Sequence, residues 1–153
     1  MLLDLRDLIE CVTSPMWAWT QRSIDGLLRS LGLAELPDRR HGNKRHFKAA
    51  TGLLCTVVAD DATQDPVRIE FPFEVEAMSG VPRAELLETY FALLYASVQG
   101  AMAQTLTDPT AIIGSGLAAA GRASWRMASC TMRIEARPAT EEAGDAVVLS
   151  VEK

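Results

Sequence analysis

The sequence predicts an α+β fold, one domain over residues 1–153 with helices packed on one face of an antiparallel sheet. Three observations carry that expectation. Apolar residues recur at helical spacing in the first thirty residues and again after Pro82. "VRIEFPFEV" and "SCTMRIEAR" alternate apolar with polar residues, as half-buried strands do. The strand-like segments come in adjacent pairs joined by turn-rich stretches, an order that gives hairpins and not parallel crossovers.

"LLDLRDLIECV" sets Leu2, Leu5, Ile9 and Val12 on one side and Asp4, Asp7 and Glu10 largely on the other, a short first helix. Ser14-Pro15 bends the chain, because a residue before proline is pushed out of the helical region. In "TQRSIDGLLRSLGLAELP", Ile24, Leu27, Leu28 and Leu31 fall at helical spacing. Thr20 or Ser23 caps that helix and Gly32 supplies the left-handed residue that ends it near Leu31.

"GLLCTVVA" reads as a continuous apolar strand, joined through "DDATQD" to a second strand that turns Val67, Ile69, Phe71, Phe73 and Val75 inward. Pro72 has no N–H for a ladder, so one side of that strand is expected to be an edge. The longest helix follows, with Pro82 in its first turn and Glu85 near the positive end of its dipole. Leu86, Leu87, Tyr90, Phe91, Leu94, Tyr95, Val98 and Met102 make a stripe wide enough to lie against a sheet. Gly114 to Gly116, "GSG", reads as a flexible connection, and Trp125 as a residue packed on the sheet. "SCTMRIEAR" and "AVVLSVE" close the chain as a hairpin around "PATEEAGD".

Composition bounds the function. At 153 residues the chain buries a real core, and 48% hydrophobic with 23% charged residues excludes a disordered or collagen-like protein. A net charge of -5 argues against nonspecific nucleic-acid binding by the whole domain. "MLLDLRDLIECV" carries three acids and lacks the basic start and unbroken apolar core of a signal peptide. No stretch reaches the roughly 20 apolar residues of a membrane span. Cys11, Cys55 and Cys130 are odd in number and far apart, which fits reduced thiols in a cytoplasm.

No catalytic constellation emerges, and the expectation is that the chain is not an enzyme and uses no cofactor or metal. Both histidines, His41 and His46, lie in a polar run while Cys55 and Cys130 lie in apolar strands, so no nucleophile and base are paired. No Cys or carboxylate pair stands at ligand spacing beside those histidines. The "GSG" stretch lacks the lysine and the Ser/Thr of a phosphate-binding loop.

Binding is the remaining direction. "RRHGNKRHFK", Arg39 to Lys48, gathers five of the fifteen Lys and Arg residues into ten positions of an acidic chain. It reads as a loop leading into an extended segment. A solvated loop accounts for it; so does capture of an acidic protein surface by Arg39, Arg40, Lys44 and Arg45, since concentrated charge steers association. Nucleic acid is the weaker partner, with only Phe47 to stack on a base. Trp17 and Trp19 serve either the core or a partner, because residues two apart on a helix cannot both face inward.

A tryptophan-bearing helix that ends in "LLRSLGL", two strands, the long helix "LLETYFALLYASVQGAM", a Gly-rich connection and a tryptophan opening the final hairpin in "GRASWRMASCTMRIEARP" and "DAVVLSVE" together resemble small bacterial immunity proteins. The resemblance implies a cytoplasmic protein that sits on a cognate polymorphic or secreted toxin and occludes its active site, with no catalytic residues of its own. The basic run matches no feature of that family. A second resemblance is to type III secretion chaperones that bind one effector, whose first helix is similar to "SIDGLLRSLGL"; they usually end on a helix, where this chain ends on a strand. The expected partner is thus a toxin or effector protein, with neither nucleic acid nor membrane, and a homodimer stays open as the assembly.

Overall fold

The computed structural model describes residues 2–37, 42–106, 108–118 and 121–153. Helices α1 (Leu5–Thr13) and α2 (Gln21–Ser30) lead into strands β1 (Leu33–Glu35), β2 (Lys44–Ala49), β3 (Leu54–Ala59) and β4 (Pro66–Glu74). Helix α3 (Arg83–Thr105) separates these from β5 (Ile112–Ala118), β6 (Arg122–Met127), β7 (Thr131–Arg137) and β8 (Ala146–Glu152). All eight strands form one antiparallel sheet in the order β1-β2-β3-β4-β8-β7-β6-β5. The expected α+β class therefore holds.

Two four-stranded meanders meet along β4 and β8, and this explains the long helix. The chain leaves β4 in mid-sheet and must re-enter at the far edge, four strand spacings or about 19 Å away. The 23 residues of α3 supply about 34 Å of rigid rise for that crossing.

The helix signals act as read. The Asp4 carboxylate accepts the Asp7 N–H at 3.1 Å, and Thr20 Oγ1 accepts the Ser23 N–H at 3.3 Å, so both short helices open on a side-chain cap. Gly32 takes φ +76° directly after α2. Leu5, Leu8, Ile9 and Val12 of α1 are buried, but Leu2 is exposed because α1 starts at Leu5, and Leu3 enters the core instead. One face of the sheet, with Phe47, Cys55, Val57, Ile69, Phe71, Trp125, Met132, Ile134, Leu149 and Val151, closes against the three helices.

Three expectations change. Pro72 does not mark an edge strand, since β4 pairs with both β3 and β8. The Val75 N–H donates to the Asp145 carbonyl and the Lys153 N–H to the Val67 carbonyl, both at 2.9 Å. These bonds put the β8-facing amides at odd-numbered β4 residues, so Pro72 turns its nitrogen toward β3, where the pairing has ended at Glu70. The edge is local. The "GSG" stretch is no free connection: Gly114, Ser115 and Gly116 pair with Arg126, Trp125 and Ser124 in β5. Trp125 is itself part of the sheet, in β6, stacked 5.6 Å from Tyr95 and donating from Nε1 to Gln99 Oε1 at 2.7 Å.

Candidate functional site

The strand register fixes what the helix-free face carries. Residues paired across antiparallel strands share a face, so rows can be followed from β2 to β5. One runs Lys44, Val58, Arg68, Glu152, Thr131, Arg126, Gly114. The next runs His46, Thr56, Glu70, Ser150, Arg133, Ser124, Gly116. Lys48 on β2, and Val148, Glu135 and Arg122 on β8, β7 and β6, lie one step beyond, with Arg137 at the end of β7.

The face is basic on an acidic protein. Among the described residues it holds seven Lys and Arg, namely Lys44, Lys48, Arg68, Arg122, Arg126, Arg133 and Arg137, against four acids, Glu70, Glu74, Glu135 and Glu152. Seven minus four leaves +3 here, and the remaining eight cations and sixteen acids leave the rest of the chain at -8. Three of these acids are already engaged, while Glu74, at the end of β4, is exposed and forms no ion pair among the described residues. Glu70 lies 2.8 Å from Arg68 and 3.8 Å from Arg137, Glu135 lies 3.5 Å from Arg122, and Glu152 lies 3.4 Å from Arg133. Lys44, Lys48 and Arg126 are exposed and form no ion pair among the described residues. Gly116 of β5 borders a depression of about 550 Å³ walled by Arg122, Ser124, Arg133 and Glu135.

The residues singled out from the sequence fall in three places. Arg39 and Arg40 lie outside the described residues. Lys44 stands on the open face, but Arg45, its neighbour, points to the helix side. There its Nε and Nη2 donate to the two carboxylate oxygens of Glu35, each at 2.9 Å, with Asp25 at 3.4 Å and the Phe47 ring 5.1 Å away. The hydrogen bond to Glu35, helped by the Glu35 and Asp25 charges, holds the Arg45 guanidinium above its ordinary value against the opposing effect of burial. Its charge is spent within the fold. Trp17 and Trp19 sit in the connection between α1 and α2, outside any helix, where both reach the core edge to face at 5.6 Å. The Trp19 indole donates to the Ser129 carbonyl at 3.0 Å and pins that connection to the β6–β7 turn.

Sequence reasoning missed five of the seven face cations, because they are scattered over β4, β6 and β7; the alternation in "ASWRM" and "TMRIEAR" was the signal available. A second surface feature is apolar. Leu2, Leu54, Pro72, Phe73, Tyr90 and Leu93 line a groove of about 580 Å³ between α3 and the sheet, with Glu74 and Glu76 on its rim.

Among the described residues no His, Cys, Asp and Glu group is arranged to hold a metal ion, and no helix is long and apolar enough to cross a membrane. Burial pushes the Cys55 thiol far above its ordinary range and that of Cys130 up to about 11. His46 Nδ1 and Thr56 Oγ1 pair at 3.1 Å across β2 and β3. No family model, curated protein or solved structure matches the chain.

Proposed function

We propose that this chain is a cytoplasmic immunity protein that binds a cognate bacterial toxin and neutralises it by covering its active site. The observation that carries the reading is the charge-segregated sheet face. A rigid eight-stranded surface of net +3 on a body of net -8 is built to select one orientation and one class of partner. Three free cysteines fit a reducing compartment.

The test is rescue. Co-expression with the product of the toxin gene expected beside its own should restore growth to cells that the toxin alone kills. Failure of the wild-type chain to restore growth, with both proteins expressed, would end the reading. The apolar groove beside α3 favours one alternative, a secretion chaperone whose groove takes an extended effector segment. In that case the chain binds the N-terminal segment of a neighbouring effector and gives no rescue.

A further inference from the structure

We infer that the helix-free sheet face docks a carboxylate-rich protein surface, centred on the depression between Arg122 and Arg133. The inference rests on the binding reading above and deepens it by naming the chemistry of the bound surface.

Charge complementarity supplies the sign. A net +3 face attracts an acidic partner, and its three cations without an ion pair among the described residues, Lys44, Lys48 and Arg126, stand on β2 and β6, toward opposite edges of the sheet. β2 and β6 are five strand spacings apart, about 24 Å, a span that suits a protein interface and exceeds a single small anion. Between them Val58, Val148 and Ser150 are buried among longer side chains, giving the interface a compact centre and a charged rim.

The same face argues against nucleic acid. The Phe and Trp residues of the strands, Phe47, Phe71, Phe73 and Trp125, all take the helix-side positions of the pleat, so among the described residues the open face offers a base no Phe, Tyr or Trp, and its one imidazole, His46, is held against Thr56. Four carboxylates interrupt the cations, and a phosphate backbone leaving the face would run onto the -8 remainder of the molecule. By the same charge argument the occupant is not the basic cleft of a phosphate-cutting toxin, whose own cations this face repels. A toxin whose cleft is lined by carboxylates fits.

The experiment uses the intact chain and fluorescein-labelled polyglutamate as the acidic probe, with labelled oligothymidylate of equal charge beside it, both followed by anisotropy at about 0.05 M and about 0.3 M salt. The variants are Lys44→Glu/Lys48→Glu/Arg126→Glu and, with the same charge change on the helices, Arg6→Glu/Arg22→Glu/Arg29→Glu. Wild type should bind polyglutamate in a salt-sensitive way. The face variant should lose about ten-fold or more, the helix variant less than about two-fold. Lys44→Gln/Lys48→Gln/Arg126→Gln gives the same comparison should the reversal fail to fold. No binding by wild type, equal loss in both triple variants, or tighter binding of oligothymidylate overturns the inference. Because no toxin enters this measurement, rescue by wild type together with a failed titration sinks the docking face alone.

Discussion

Arg45 and Glu35 face each other across β2 and β1 through two parallel 2.9 Å contacts, and the Arg45 side chain is only 15% exposed. A two-pronged guanidinium–carboxylate pair fixes both side chains and outlasts a single exposed contact. With Glu35 one-third exposed, solvent screens the pair, and Arg45→Ala is expected to cost about 1–2 kcal/mol. Lys44→Ala, on the open face, should cost less than about 0.5 kcal/mol. Urea unfolding of the two variants decides it. Equal small losses would mean that the Arg45 cluster does not hold β1 to β2.

Helix α3 turns two adjacent leucines in opposite directions, with Leu94 5% exposed and Leu93 62% exposed. Leu94→Ala should therefore cost about 2–5 kcal/mol, as core truncations do, and Leu93→Ala less than about 0.5 kcal/mol. Phe91 is partly buried and should fall between them. Denaturant midpoints for the three variants check the order.

What could be read from the sequence followed the strength of the local signal. Helices α1 and α2 announced themselves through caps and apolar spacing, α3 through its long run of apolar residues after Pro82, and the β3–β4 and β7–β8 hairpins through alternating or continuous apolar runs. β2 stayed hidden because its inward positions are Arg45, Phe47 and Ala49, and a buried arginine breaks the apolar pattern. β5 stayed hidden because two glycines look like a linker, and only the β6 partner makes them a strand. The candidate site was legible only at Lys44 and Lys48. Its other cations converge through sheet order, and no local pattern reports that β4 lies beside β8.

Trp19 and Ser129 join distant parts of the chain, the indole donating to the Ser129 carbonyl while the Ser129 hydroxyl donates to the Val12 carbonyl at 2.6 Å. Trp19→Phe removes one donor and keeps most of the ring. The expected loss is about 1 kcal/mol by thermal or urea unfolding. In the co-expression test of the proposed function, growth rescue should be unchanged by this substitution, since the tryptophan is tied to the core. Full stability with lost neutralisation would make Trp19 a partner anchor.

Cys55 and Cys130 make the fold sensitive to alkali. Both thiols are buried, and burial raises each above the ordinary 9.0, Cys130 to about 11 and Cys55 further. In the unfolded chain they ionise near 9.0 while in the fold they stay protonated, so their contribution is fully present below about pH 9. It is lost as pH rises toward the folded values, at about 1.4 kcal/mol per pH unit for each group. Between about pH 8 and about pH 10 the two together should remove about 2–3 kcal/mol of stability, a loss that Cys55→Ala/Cys130→Ala does not suffer. Urea unfolding of both proteins across that range is the measurement, and the slope difference is the quantity read, because lysine and tyrosine ionisation acts on both alike. Parallel slopes would show that the two thiols ionise equally well in the folded chain, and that water reaches them.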